Sequence, residues 1–336
     1  NPTAADADGG TVTVACASSN GLSSGSTFPI ATTPVICTAT DPAGASTTET
    51  MFSITVADRT PPKVSIAGAP SGPVEATEAG GAPIAFTASA TDAVSTSGLS
   101  VSCSVPSGSI IPLGTTMISC SSTDAAGNLG ATSFTVTVRD TTAPVLTVPT
   151  SITGVQATGS TGAPVSYSAT ASDLVDSSPT VGCSPLSGST FALGTTMVSC
   201  TATDDFANTS TATFTVTVVD TVAPATLRAT VTPALLWPPD GTIVSVTVSG
   251  QVFDAASGAA HVQWSVVDEY GTHQPAGTAM VTNGPFSFPV PLLRDRRGND
   301  KDGRHYTIKM TAFDRSGNGR MLATPLVVNV HDQSTK

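Results

Sequence analysis

The strongest constraint on this chain is a pattern written three times. Residues 14–45, 101–128 and 181–208 each hold a cysteine pair and a Gly- and Ser-rich turn, and each leads into a strictly alternating segment. Those segments are Phe52-Ser53-Ile54-Thr55-Val56, Phe134-Thr135-Val136-Thr137-Val138 and Phe214-Thr215-Val216-Thr217-Val218. Apolar residues on one parity and hydroxyls on the other are what a half-buried antiparallel strand needs, because successive side chains point to opposite faces. Short strands separated by turn signals predict β-sandwiches, and a repeat of about eighty residues predicts several in series.

Composition agrees. Charged residues are 11% of the chain and aromatics 5%. Thr and Val, stiff at χ1, suit a pleated surface, while Gly and Pro punctuate turns. The six cysteines fall as Cys16/Cys37, Cys103/Cys120 and Cys183/Cys200, one pair per repeat. An even count so arranged predicts intra-repeat disulfides and an oxidising compartment. The alternation puts Cys103 and Cys120 on the inward parity with Val101 and Ile118, so the bridges are expected in the core. Zinc is the competing reading. It fails because there is no CxxC and all four histidines lie in the Cys-free C-terminal part.

Each repeat ends in an Asp followed by a Pro-containing joint: Asp58 before Pro61-Pro62, Asp140 before Pro144 and Asp220 before Pro224. Such joints are short and stiff. They divide the chain into an incomplete repeat (1–57), two complete ones (58–139 and 140–219) and a Cys-free C-terminal domain (220–336). Segments such as "EAGGAPIAFTASATD", "VPSGSIIPLGTTMISC" and "STDAAGNLGATSFTVTVRDTTAP" resemble hyalin repeats, the HYR family, and the resemblance covers residues 1 to about 221. It implies immunoglobulin-like domains, extracellular adhesive or structural roles, and no catalytic residues. The fold class expected is therefore all-β: tandem immunoglobulin-like antiparallel β-sandwiches, end to end as a rod. The C-terminal part, with "LWPPDGTIVSVTV" and "TAFDRSGNG", resembles a sandwich that closes bacterial hyalin-repeat arrays.

Charge narrows the partners. Residues 1–221 carry 3 basic and 15 acidic side chains, and the whole chain is at −11. An acidic array gains nothing from counterion release at phosphates, which excludes nucleic acid as the expected partner. No apolar run approaches the ~20 residues of a spanning helix, so no membrane insertion is expected within this chain. The chain opens Asn1-Pro2-Thr3 without Met or an apolar leader, which predicts that it is processed or cut from something longer.

No HExxH, GxSxG, P-loop or dinucleotide fingerprint is present, and the expectation is a non-enzyme. The repeated acidic set is the better chemical signal. Asp58, Asp92, Asp124 and Asn128 recur as Asp140, Asp173, Asp204 and Asn208, and again as Asp220, Asp254, Asp314 and Asn318. In a sandwich of this kind the leading Asp, the second-strand Asp and the Asp-x-x-x-Asn turn meet at one end. Hard oxygen ligands clustered there suit structural calcium at the joints. The competing reading is that each Asp or Asn caps its own turn. The segment 297–304, with Asp300, Asp302 and Gly303, has a calcium-loop core but lacks the first ligand and the closing Glu, and reads as a polar hairpin.

Trp237, Trp264, Tyr270 and Tyr306 are gathered in the C-terminal part and could stack on sugar rings. Against that, Trp264 alternates with Val262 and Val266 like a core residue. Asn208-Thr209-Ser210 is a glycosylation sequon, which a bacterial source would leave unmodified.

Aligning Asp6 with Asp92 shows that residues 1–57 lack the counterparts of two strands. An open edge and an uncovered core follow. Either the chain continues upstream or another subunit donates a strand and builds a head-to-tail filament, with 324–336 a candidate donor only if its own domain can spare it. The expected function is an extracellular structural or adhesive module of a fibre, stalk or layer. Its expected partners are other copies of itself or other surface proteins. A carbohydrate-binding accessory region of a secreted hydrolase and a protein-binding ectodomain are the alternatives.

Overall fold

The computed structural model describes residues 2–331 and is all-β, with no helix among them. It falls into two compact units, Asn1–Thr141 and Thr142–Lys336.

In the first unit, Thr13–Ser18, Thr32–Thr40 and Ser46–Thr55 form a three-stranded antiparallel sheet in sequence order. The next repeat is fuller. Its main sheet runs Val74–Glu75, Leu129–Arg139, Gly114–Thr123, Ser102–Cys103, the first pair parallel and the others antiparallel. Two ribbons, Lys63–Ala67 with Thr87–Thr91 and Ala82–Pro83 with Ile110–Ile111, supply the second layer. Ile118, Cys120, Val136 and Val138 are at most 1% exposed, and Phe86 packs edge-on against Phe134 with ring centroids 5.1 Å apart.

The second unit begins with the same design. Ile152–Gln156, Thr209–Val219, Gly194–Thr203 and Thr180–Ser184 form the main sheet, again opening on a parallel pair. Tyr167 packs on Phe214 as Phe86 does on Phe134, at 5.0 Å. One backbone approach fixes both complete repeats. Gly81 (φ 122°) and Gly162 (φ 109°) lie so close to the Ile111 and Phe191 carbonyls that a Cβ would sit 1.9 and 1.8 Å from the oxygens. Only glycine fits there.

The C-terminal sandwich stacks Thr226–Thr232, Thr242–Phe253 and Gly284–Arg294 against a larger sheet containing Ala259–Asp268, Ala276–Met280, Arg304–Asp314 and Leu326–Val330. Leu235–Leu236 pairs parallel with Leu326–Val330. Pro285, Pro289 and Pro291 share one parity of the edge strand Gly284–Arg294. An edge tolerates proline where the N–H would face solvent, and the missing donors discourage pairing by another strand. Residues 332–336, the end of the suggested donor tail, lie outside the described residues. The rest of that tail is not spare, because Val328 and Val330 are 0% exposed in their own core.

All three disulfides form, and each joins residues directly opposite on neighbouring antiparallel strands: Cys16 with Cys37, Cys103 with Cys120 and Cys183 with Cys200. They tie strands within one sheet and leave the two layers to apolar packing. In each pair one cysteine is buried and the other half-buried. Replacing Cys183 and Cys200 together by Ala should cost about 3 kcal/mol, the loop-closure entropy of a loop this short. A urea melt of the variant should show the lowered midpoint, and an unchanged midpoint refutes the estimate.

Candidate metal centres

The carboxylates of interest sit where alternation puts them. Along Gly114–Thr123 the inward parity reads Ile118, Cys120, Ser122, and Asp124 follows on it just past the strand. Asp204 continues Val198, Cys200 and Ala202, and Asp220 continues Phe214, Val216 and Val218. A carboxylate at the end of an inward row is desolvated by its position, so Asp124, Asp204, Asp220, Asp254 and Asp314 are all 7% exposed or less.

In the first unit, Asp58, Asp92 and Asp124 each bring one carboxylate oxygen within 4.8 Å of the others. Each also holds its own turn. Asp58 Oδ1 accepts from Thr60 N (3.1 Å), Asp92 Oδ1 from Val94 and Ser95 N (both 2.8 Å), and Asp124 Oδ1 from Ala126 and Asn128 N (2.9 and 2.8 Å). Asn128 Nδ2 donates to Asp124 Oδ2 (2.8 Å) and to the Asp58 carbonyl (3.2 Å), fastening the turn to the joint. The Oδ2 atoms of Asp58 and Asp92 are buried with no hydrogen-bond partner. Burial pushes the Asp124 carboxyl up, but the Asn128 amide and the turn N–H groups outweigh it and hold it below the usual range.

The second unit repeats this at Asp220, Asp254 and Asp314, again within 4.8 Å. Asn318 Nδ2 bridges Asp314 Oδ2 (2.8 Å) and the Asp220 carbonyl (3.1 Å). Asp254 Oδ1 accepts from Gly258 N (2.8 Å), and Asn283 Oδ1 accepts from the backbone N–H groups of Asp254 and Ala259 (2.9 and 3.0 Å). Burial raises the Asp220 carboxyl. Hydrogen bonds from Ser257, Val222 and Gln156 more than offset this and leave it lowered. Asn283 had no sequence signal: it lies outside the repeated motif and acts through the backbone.

Of the middle set, Asp140 belongs to the first unit and Asp173, Asp204 and Asn208 to the second. Asp204 and Asn208 form the same turn, with Asn208 Nδ2 on Asp204 Oδ2 at 2.8 Å, and Asp173 Oδ1 accepts from Val175 and Asp176 N. The sequon amide of Asn208 is thus engaged in the turn. In the corresponding turns Gly44, Gly127 and Gly317 take positive φ, whereas Ala207 adopts φ 68° with a Cβ to accommodate.

The four aromatic candidates differ in exposure and in what they pack on. Tyr306 is 0% exposed, Trp264 is half-buried with its ring stacked on Phe288 at 6.1 Å, and Trp237 is 51% exposed. Tyr270 hydrogen-bonds Asp300, which also accepts from Gly303 N (3.2 Å), so the segment 297–304 is a polar loop. Tyr270 and Tyr306 flank the buried Arg304, each ring centroid 4.9 Å from its guanidinium carbon. Arg304 makes two hydrogen bonds to Asp268, at 2.9 and 2.7 Å, and a third to the Thr272 hydroxyl. Burial pushes Tyr306 up to about 12. Burial also raises Asp268, but Arg304 and the N–H groups of His273, Thr272 and Tyr270 hold it far below the usual carboxylate range.

Two outcomes follow. Ala207→Gly should stabilise its repeat by about 1 kcal/mol, because glycine carries no penalty at positive φ; thermal melting checks the sign. The depressed Asp268 carboxyl contributes stability that is full above its unfolded value near ~3.9 and is lost as pH falls toward its folded one. Acid unfolding should therefore steepen below about pH 4. Asp268→Asn should cost roughly 3–5 kcal/mol at neutral pH and flatten that acid limb.

Comparison with known proteins places these repeats. The chain is 35% identical over 211 residues to hyalin of Strongylocentrotus purpuratus, covering 60% of this chain and 17% of that protein. It is 31% identical over 304 residues to hyalin of Lytechinus variegatus, covering 86% and 54%. The chain thus spans about half or less of the length of these relatives. A protocadherin gammaB7 EC3-6 structure aligns over 89% of this chain and 85% of its own, at 14% identity and TM-score 0.36. Residues 57–138 and 139–218, which hold two of the cysteine pairs and two of the Asp-x-x-x-Asn turns, match the family model of the HYR domain in tandem.

Proposed function

We propose that this chain is a non-catalytic extracellular module of an adhesive or structural assembly, with Ca²⁺ held at its joints. The carboxylate triads carry the reading. Oxygens on opposite sides of a Ca²⁺ ion stand roughly 4.6–5.2 Å apart, twice the usual ligand distance, and each triad offers three oxygens within 4.8 Å. The buried, partnerless Oδ2 atoms of Asp58 and Asp92 supply a second fit, since a desolvated carboxylate oxygen without a donor is costly unless a cation compensates it. Asp58, Asp92 and Asp124 would hold one ion, and Asp220, Asp254 and Asp314 another. The ion would supply charge compensation and link the joint to the body of the repeat. Three disulfides support an oxidising, extracellular setting.

Head-to-tail joining of copies is the assembly form of this reading. The first sheet favours it, because Phe52 is 52% exposed where Phe214 is 5%. Sedimentation of the full chain should then show association that rises with concentration, and a monomer throughout retires the joining.

Calcium at 100 times its dissociation constant should stabilise the folded chain by about 2.7 kcal/mol. Chelator should lower the melting temperature, and Asp314→Asn together with Asp124→Asn should abolish the difference. Identical melting in calcium and in chelator refutes the metal.

A further inference from the structure

We infer that the flank of the C-terminal sandwich between Ala276–Met280 and Gly284–Arg294 is a docking cleft for an extended peptide. The backbone of that peptide adds to the edge strand Ala276–Met280, and its side chains set an apolar group beside a carboxylate. The inference goes beyond the assembly reading above: it stands on this one domain and needs neither the metal centres nor the joining of copies.

The two edge strands along this flank differ in one respect. Gly284–Arg294 carries Pro285, Pro289 and Pro291, which withhold donors from any incoming strand. Ala276–Met280 ends the larger sheet, holds no proline, and pairs with Ala259–Asp268 alone among the described residues. Its hydrogen bonds fix which backbone groups are left over. Val281 N donates to the Ala260 carbonyl (3.0 Å), and the Pro275 carbonyl accepts from Val266 N (2.9 Å). Successive residues of a strand turn their N–H and C=O to opposite sides, so Gly277 and Ala279 face the sheet with these two. The N–H and C=O groups of Ala276, Thr278 and Met280 therefore point away from it, with no strand beyond them among the described residues. An unpaired row of this kind is what an added strand uses.

The inner face beside that edge leaves room for a side chain. Gly277 and Ala279 are its inward residues, and both are small. A Cβ on Gly277 would lie 2.7 Å from the Trp264 ring, and one on Gly250 would lie 2.6 Å from that of Phe286. Between these two glycines Trp264, Phe288 and Phe286 stack in a row, with centroids 6.1 and 5.9 Å apart. Beside the row lies a cleft of about 630 Å³, lined by Phe286, Phe288, Ala259, Ala279 and Met280. Its size is that of a ligand site, roughly 300–1,000 Å³. It opens sideways to solvent, which suits a chain laid across it, and Met280 stands 80% exposed at the rim.

Charge selects the occupant. Arg315 is the one charged residue lining the cleft among the described residues. Its backbone N donates to the Gly258 carbonyl (2.9 Å), which fixes the root of the side chain. The guanidinium itself is exposed and makes no hydrogen bond or ion pair among the described residues. An unengaged guanidinium at the mouth of an apolar cleft favours a carboxylate, which it can take with two parallel bonds, and repels a basic segment.

The test selects a random heptapeptide library, displayed on phage, against the full chain in chelator. The recovered sequences should share an apolar residue close to Asp or Glu. A synthetic copy of the most enriched peptide should bind one to one and slow amide exchange at Thr278 and Met280. N-methylating alternate peptide amides, which leaves the chain unaltered, should abolish binding on one parity and spare it on the other. Thr278→Pro blocks the edge without removing a ladder bond, so it should abolish binding while the melting temperature holds. Arg315→Ala should weaken binding roughly tenfold, the loss of one charge-assisted pair. No enrichment over an unrelated protein, protection elsewhere on the chain, or binding indifferent to methylation and to Thr278→Pro overturns the inference. A chain that associates through this edge and becomes monomeric with Thr278→Pro also overturns it, because a second copy is then the occupant.

Discussion

A carboxylate at the end of an apolar row must lose most of its water before it can do anything else. In this chain that cost recurs at Asp124, Asp204 and Asp314, because the strand alternation that buries Val, Ile and Cys runs on into Asp. The compensation is local. At Asp124 and Asp314 one oxygen takes the N–H groups of its own turn, and an Asn amide takes the other oxygen and the carbonyl of the joint Asp. The same two bonds satisfy the turn and fix the direction in which the preceding segment arrives. Joint geometry and strand register are thus one constraint. A register slip by one residue would carry the Asp outward along with every core residue.

The disulfides pin that register covalently. Each joins residues already opposite one another, so the bridge adds no new approach of the two layers and instead prevents two strands from sliding. This matters most in residues 13–55. There Val35 and Cys37 are buried, 7% and 6% exposed, with a single sheet to bury them. A lone three-stranded sheet has little apolar cover, and cross-linking its first two strands offsets part of the deficit.

Much of this was legible in parity alone. The alternating Phe-x-Val-x-Val segments locate the strands, the paired cysteines locate the register, and the Asp-x-x-x-Asn spacing locates two centres where carboxylates meet. What parity also contained, and motif reading passed over, is Arg304. It shares the inward parity of Tyr306, Ile308, Met310 and Ala312, and Asp268 shares that of Val262 and Val266. Two opposite charges on inward rows of neighbouring strands predict a buried pair. Tyr270 and Tyr306 flank the guanidinium, which is also how a long cation is kept desolvated between two rings. Asn283 was not legible, because its contacts are to backbone groups that only the fold brings together.

The joints also separate geometry from charge. Glu75 accepts the backbone N–H and hydroxyl of Thr141 at 2.9 and 2.6 Å, and Gln156 accepts those of Thr221 at 3.0 and 2.7 Å. A carboxylate and a neutral amide make the same pair of bonds to the residue after the joint Asp, so what repeats is an acceptor at that point. The amide differs in having a donor as well, and Gln156 Nε2 reaches Asp220 Oδ1 at 3.3 Å. Gln156 therefore lends a hydrogen bond to its joint Asp, whereas Glu75 brings a second negative charge beside the Thr141 clamp. Repeats with one backbone plan can in this way present joints of different electrostatic potential, and a cation or an arginine would distinguish them.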